Sequence, residues 1–305
     1  MSIQPVPSIS VVIPTANRHS TIGRAVDSIY KNTIAPYEVI IVDQSSNDLT
    51  LDALHPLIDN QQLIYIRDSG KGISRGRNVG WQKAAGTIIA FTDDDAWVDP
   101  KWLECILATF QTDRFNIGAV GGKILPVYEE KNPEWNFPKK WEHLLPSCDH
   151  GEFTDLFNKD TFPIGVNLIT YRHLLEKLDG FDERMGVNIS RNLQILGEDV
   201  DYYIRLKRSG FDLVYSPDCI VYHPVPLSRQ SQGFLNKRLM YEGATYAYRG
   251  IKDGELVALN CLRSLFKSFV KYCLLILSKG NQEDAHYLYG KMLILLKVGI
   301  FQIQH

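Results

Sequence analysis

Between residue 9 and about residue 124, short apolar, β-branched runs alternate with longer segments whose apolar positions recur at helical spacing. The runs ISVVIP (9–14), YEVIIVD (37–43), QLIYIR (62–67), GTIIAFTD (86–93) and NIGAVGGKIL (116–125) predict strands. Being apolar throughout, and not at every second position, they predict strands covered on both faces. Helices are expected from near Ser20, Asn47, Ser74 and Pro100, where serine, asparagine or proline suits a helix start. This alternation predicts an α/β fold, a Rossmann-like, mostly parallel sheet flanked by helices.

A second set of elements follows from 163 to 224. FPIGVNLITY predicts a strand, a short helix is expected from Arg172, and LVYSPDCIVYHP reads as strand-like. In GEDVDYYIRLKRSG, the apolar positions Val200, Tyr203, Ile204 and Leu206 fit a helix stopped by Gly210. Glu198 and Asp199 then stand in its first turn, where the helix dipole favours carboxylates. Residues 126–162, rich in Pro, Trp and charge, have no clear period; a substrate lid and an ordinary irregular excursion both fit.

Beyond residue 225 the pattern changes. Leu262, Leu265, Phe266, Phe269, Val270, Cys273 and Leu277 form one helical stripe, with Arg263, Lys267 and Lys271 on another face. Three cations in mid-span argue against a transmembrane helix. An amphipathic helix lying on an anionic membrane surface is expected, with residues 287–301 as a second; packing on the domain or on a partner subunit is the alternative. The chain thus divides into an α/β domain (1–224, in halves 9–124 and 125–224) and a C-terminal helical region (225–305).

Charge and cysteine content narrow the function. A net charge of −2 over 305 residues lacks the basic excess of a dedicated nucleic-acid-binding protein. The five cysteines are scattered, with no Cys-x-x-Cys pair, so neither a disulfide framework nor a zinc site is suggested. The N-terminal residues lack the basic start and apolar core of a signal peptide, and a cytoplasmic protein is expected.

The candidate chemistry gathers where such sheets bind ligands, at the carboxyl ends of the strands. Pro14, Thr15, Asn17 and Arg18 follow the first strand, Asp43 ends the second, and Asp93, Asp94 and Asp95 follow the fourth. Desolvating clustered carboxylates is costly unless a cation sits against them, and a hard divalent ion is the simplest one. In extended geometry Asp93 and Asp95 would share one face and Asp94 the other. A solvated acidic turn is the competing reading. The glycines of DSGKGISRGRN, with Lys71, Arg75, Arg77 and Asn78, suit a phosphate, although taken alone the segment reads first as a flexible basic turn. The Glu198–Asp199 pair supplies a helix cap and leaves one carboxylate for general-base work.

Taken in order, Pro14-Thr15, Asn17-Arg18, Val42-Asp43, Arg77-Asn78-Val79-Gly80, Phe91, Asp93 to Asp95, Pro100, Gly180 to Glu183 and Glu198 to Asp201 resemble the family 2 glycosyltransferases of GT-A fold. The resemblance covers residues 9–224 and implies a nucleotide-binding half (9–124) and an acceptor half (125–224). It implies that Asp43 reads the nucleobase and that Pro14, Thr15, Arg18, Arg77 and Asn78 line the nucleotide pocket. Asp93 would contact ribose and sugar, Asp95 would bind Mn²⁺ or Mg²⁺, and a one-residue shift would make Asp94 the ligand instead. His223 would be a further metal ligand, although a lone histidine beside a proline is as often structural. Asp199 would be the base of the Glu198–Asp199 pair.

The implied reaction is metal-dependent, inverting transfer from a nucleotide-sugar donor, a UDP-sugar first among them, to a glycan or lipid-linked acceptor. The Gln-x-x-Arg-Trp motif and multiple spans of the processive synthases are absent from the sequence, which favours one transfer per encounter. Acceptor contacts are expected between 126 and 190, around Trp135, Trp141 and Asn167. Two other readings compete. A nucleotidyltransferase would carry a glycine-rich basic signature after the first strand, where IPTANRHSTIG stands; a non-catalytic nucleotide-sugar binder would have no need of the Glu198–Asp199 pair.

Overall fold

The computed structural model describes residues 7–59, 63–158, 161–188, 190–254, 258–277 and 282–302. The start of the chain (1–6) and Gln62, in the third expected strand, lie outside the described residues. The first half follows the apolar pattern closely: β1 (Ile9–Thr15), α1 (His19–Tyr30), β2 (Glu38–Asp43), α2 (Leu49–Asp59), β3 (Ile64–Arg67), α3 (Ile73–Lys83) and β4 (Ile88–Phe91). Strands β3, β2, β1 and β4 are neighbours in that order and all pair in parallel. Val11, Val12, Ile13, Val39, Ile40, Ile41 and all of β4 are buried, as strands covered on both faces require. Helix α3 packs on β1 and β2. A Cβ at Gly80 would come within 2.2 Å of Val12 Cγ1, so only glycine lets this helix lie so close to β1.

The sheet then becomes mixed. The chain continues through β5 (Trp97–Val98), α4 (Trp102–Phe110), β6 (Ile117–Val127), β7 (Asp155–Leu156), β8 (Leu168–Tyr171), α5 (Arg172–Lys177), α6 (Glu198–Arg208) and β9 (Asp212–Pro224). The path runs β3-β2-β1-β4-β8-β6-β9-β5, with β7 on β9. Strand β8 runs antiparallel to both β4 and β6, whereas β6 and β9 are parallel. One detail departs from the sequence pattern. Strand β4 ends at Phe91, so the aspartate triplet lies in a turn, where Ala96 N–H donates to the Asp93 carbonyl at 3.3 Å. His223, within the strand-like run LVYSPDCIVYHP, lies on β9, whose pairing with β6 continues to Pro224.

Helices α7 (Gln232–Lys252), α8 (Ala258–Leu277) and α9 (Gln282–Gln302) complete the chain. Contacts divide it into two compact units: Met1–Glu129, Leu145–Glu183 and Glu198–Val225 form one; Glu130–Leu144, Arg184–Gly197 and Pro226–His305 form the other. The second unit therefore recruits two segments from within the first 224 residues. Trp135, Phe137 and Trp141 pack there against Leu144, Leu235 and Leu239, and the Trp141 indole N–H donates to Glu283 at 2.6 Å.

Helix α8 splits its expected stripe. Leu265 and the buried Ser268 face inward, while Phe266, Phe269, Val270 and Leu274 are exposed. Leu262 and Leu277 lie outside the described side chains. No described helix is long and apolar enough to cross a membrane.

Candidate functional site

The turn after β4 sorts its three carboxylates. Asp94 Oδ2 accepts from the Thr15 hydroxyl at 2.7 Å, which ties the turn to the end of β1. Arg18, at the N-cap of α1, pairs with Asp95 and stands 3.7 Å from Asp94. Burial pushes the Asp94 carboxyl up to about 7, against the pull of Thr15 and Arg18. Asp93 and Asp95 turn the other way, toward His223 on β9, and one potential ligand atom from each of the three lies within 4.8 Å of the others. The division expected of an extended strand is thus produced by a turn.

This trio suits a divalent cation on its own chemistry. His223 Nδ1 lies 2.9 Å from the Pro224 carbonyl, an acceptor only, so Nδ1 carries the proton. In the neutral ring the Nε2 lone pair then faces Asp93 and Asp95, at 3.9 and 3.7 Å. A lone pair set against two carboxylates is repulsive unless a proton or a metal lies between them. Asp93 Oδ1, also buried, has no hydrogen-bond partner. Burial, with the neighbouring Asp95 charge, raises the Asp93 pKa, and the Arg77 guanidinium opposes the rise. Two carboxylates and one imidazole form a donor set that fits Mn²⁺ or Mg²⁺.

A second group of carboxylates opens α6. Arg77, on α3, donates to Glu198 Oε1 at 2.6 Å and lies 3.6 Å from Asp93 Oδ1, linking the acidic turn to the helix start. Asp199 Oδ2 accepts the Gly165 N–H at 2.8 Å, and its Oδ1 accepts the Val200 N–H at 2.8 Å. A side chain at Gly165 would begin 2.7 Å from Arg77 Nη2 and 3.1 Å from Asp199 Oδ2, so the backbone reaches the carboxylate only because the residue is glycine. Burial, together with the Glu198 charge, pushes the Asp199 carboxyl up to about 6, while Arg77 and the two N–H donors pull it down. A carboxylate with that pKa is ionised at neutral pH and basic enough to take a proton in a reaction.

The remaining sequence candidates lie apart from this cluster. Asp43 is fully buried and accepts from Ser45 N–H at 2.8 Å and Tyr65 Oη at 2.5 Å, with Arg67 Nη1 at 3.3 Å. Pro14 packs beside α3, where a Cβ at Gly76 would meet it at 2.8 Å. The Asn78 amide braces the 180–183 loop: its oxygen accepts from Phe181 N–H and the Trp81 indole, and its nitrogen donates to the Phe181 carbonyl. Asn167 is buried too, taking the Trp102 indole N–H and donating to the Cys219 carbonyl. Gly165, Tyr65 and Arg67 were not among the residues singled out from sequence. Tyr65 and Arg67 alternate on β3, whose register pairs Arg67 with Asp43, so period-two reading of the two strand ends would have found them.

A mixed sheet with a polar carboxyl edge, an acidic turn, a histidine facing it and a carboxylate pair opening a helix define an α/β protein whose acidic cluster is consistent with a divalent metal. The chain belongs to glycosyl transferase family 2, whose model matches residues 10–178, more than half its length. It is 25% identical over 241 residues to the glucosyl-dolichyl phosphate glucuronosyltransferase of Haloferax volcanii, covering 77% of this chain and 75% of that one. A shorter match, 31% over 94 residues, is to the Escherichia coli UDP-Glc:alpha-D-GlcNAc-diphosphoundecaprenol beta-1,3-glucosyltransferase WfgD, covering 30% of this chain and 37% of that one. The crystal structure of S. aureus TarS 1-349 in complex with UDP superposes with a TM-score of 0.51 at 18% identity, over 78% of this chain and 65% of that one. That likeness supports the GT-A fold. The protein is a glycosyltransferase of this family, and its relatives' names are those of enzymes acting on glycans and lipid-linked sugars.

Proposed function

We propose that the protein transfers a sugar from a nucleotide-diphosphate donor, a UDP-sugar, to a hydroxyl of a glycan or lipid-linked acceptor, with inversion and one sugar per encounter. The observation that carries this reading is that one buried arginine, Arg77, links the Asp93–Asp95–His223 trio to Glu198, the residue next to Asp199 at the start of α6. Mn²⁺ or Mg²⁺ held by Asp93, Asp95 and His223 would offset the charge that develops on the departing diphosphate.

Every other step belongs to side chains of the chain itself. Asp199 takes the acceptor proton as the hydroxyl attacks the anomeric carbon, held in orientation by the Gly165 and Val200 N–H groups. A single in-line displacement inverts the anomeric centre. Arg18, whose side chain is 44% exposed, is available to a phosphate oxygen at the mouth of the acidic turn. The nucleobase role of Asp43 requires a donor to join or replace Tyr65 at a carboxylate already held on both oxygens.

The same reading sets the reaction in the cytoplasm, peripheral on the cytoplasmic face of a membrane. Support comes from four free cysteines among the described residues and from the exposed face of α8, where Phe266, Phe269, Val270 and Leu274 stand beside Arg263, Lys267 and Lys271. The test is nucleoside diphosphate release across a panel of UDP-, GDP- and dTDP-sugars, by wild type and by Asp199→Asn. Release from a UDP-sugar by wild type, lost in the variant, is the expected result; equal rates in both would remove the base assignment.

A further inference from the structure

Two arginines pair with carboxylates of the site, and they differ in one respect that separates their roles. Arg18 is 44% exposed, so its guanidinium can meet a ligand oxygen while it stays beside Asp95. Arg77 is 2% exposed. Its Nη1 is engaged by Glu198 and its Nη2 faces Asp93. The Phe181 ring lies 5.6 Å from its Cζ, and the Gly165 backbone closes over Nη2. Its Nε has no hydrogen-bond partner, so the group is held by its two terminal nitrogens alone. Moving it toward a nucleotide would leave the buried Glu198 and the half-buried Asp93 without their cation.

We propose that Arg77 is a positioning residue and not a ligand of the nucleotide: it spans the gap between the acidic turn and the first residue of α6, and so holds Asp199 in register with the donor. The inference rests on the glycosyltransferase reading of the site. It is carried by connectivity: α3, the turn after β4 and the start of α6 come from three parts of the chain, and the two ends of one guanidinium fork join the last two. A planar fork reaches two carboxylates at once, whereas the single ammonium of lysine does not reproduce that geometry.

The test uses Arg77→Lys, Glu198→Gln and the double variant of the full chain. Titration with UDP in the presence of Mn²⁺ gives affinity, the release assay gives kcat and donor KM, and amide hydrogen exchange reports on residues 93–96 and 198–202. For Arg77→Lys the expected result is UDP affinity within about threefold of wild type and kcat lower by about a hundredfold, the scale set by misplacing a reacting group by ~1 Å. Exchange at 198–202 becomes faster. Glu198→Gln gives a kcat loss of similar size, and the double variant loses no more than either single variant, because the two residues act as a unit. A UDP affinity lost more than about tenfold with kcat retained, or additive losses, would overturn the proposal. Should wild type release no nucleoside diphosphate from any donor, the functional reading fails, and exchange still decides this one: unchanged protection at 198–202 in Arg77→Lys overturns it. If Arg77→Lys does not fold, Glu198→Gln carries the same comparison.

Discussion

Strands β2 and β4 both lead into aspartate at the same end of the sheet, yet the two ends are built on opposite principles. On β2, Asp43 is buried with both oxygens hydrogen-bonded and an arginine 3.3 Å away. After β4, Asp93 is half-buried: its Oδ1 has no hydrogen bond and only Arg77 Nη2 at 3.6 Å, and its other oxygen faces His223 Nε2 beside a second carboxylate, Asp95. The first arrangement is self-sufficient, and folding alone explains it. The second is costly as it stands, and a charge from outside the chain is what would complete it. A buried carboxylate therefore points to function when its partners fall short, more than when it is merely charged and conspicuous.

The comparison is broken most sharply by truncating one side of it. Asp95→Ala is expected to lower turnover about a thousandfold while the fold is retained, because the metal donors go but repulsion within the turn is relieved. Loss of the folded state instead would make the β4 end structural, like that of β2. Asp199→Asn is expected to cost about a hundredfold to ten-thousandfold in kcat, the range of general-base catalysis. In wild type, kcat/KM should rise with pH through about 6, since the base must be ionised to accept a proton and burial raises its pKa to that value. A rate flat from pH 5 to 8 would exclude Asp199 from that role.

On the β2 side the expected effect is on stability. Tyr65→Phe leaves Asp43 one donor short and should cost about 1 to 3 kcal/mol by denaturant unfolding. An unchanged midpoint would show that Asp43 is not held as tightly as its geometry implies. The smallest effect belongs to α8. Replacing Phe266 and Phe269 with serine should leave thermal stability within about 0.5 kcal/mol, as exposed positions do, while weakening sedimentation with anionic vesicles. Retained vesicle binding would return this helix face to a packing role.

The parallel half of the sheet was legible in the sequence because each strand is a continuous apolar run and each carboxyl end is polar. The start of α6 was legible because Gly197-Glu198-Asp199 opens an amphipathic segment that ends before Gly210. The interior of the site was less so. Arg77 reads as one of several cations in a glycine-rich turn, and only tertiary structure shows that its partner is Glu198, far along the chain. Gly165 was invisible for a similar reason, since its contribution is a backbone N–H and a missing side chain. Asn78, in a family-like position, and Asn167, expected among acceptor contacts, make their hydrogen bonds with the chain's own backbone and tryptophan indoles, which composition does not reveal. Trp135 and Trp141, set down as acceptor candidates, pack within the second unit, where aromatic area stabilises a small core.

The most direct test of the central claim, that the turn after β4 and His223 form a metal-dependent nucleotide site, is calorimetric titration of UDP into metal-free protein with and without Mn²⁺. Wild type, Asp95→Ala and His223→Ala would be compared. The account predicts UDP binding strengthened at least about tenfold by Mn²⁺ in wild type, a difference of ~1.4 kcal/mol, and no strengthening in either variant. Equal affinity with and without the ion in wild type, or an Mn²⁺ effect that survives both substitutions, would contradict it.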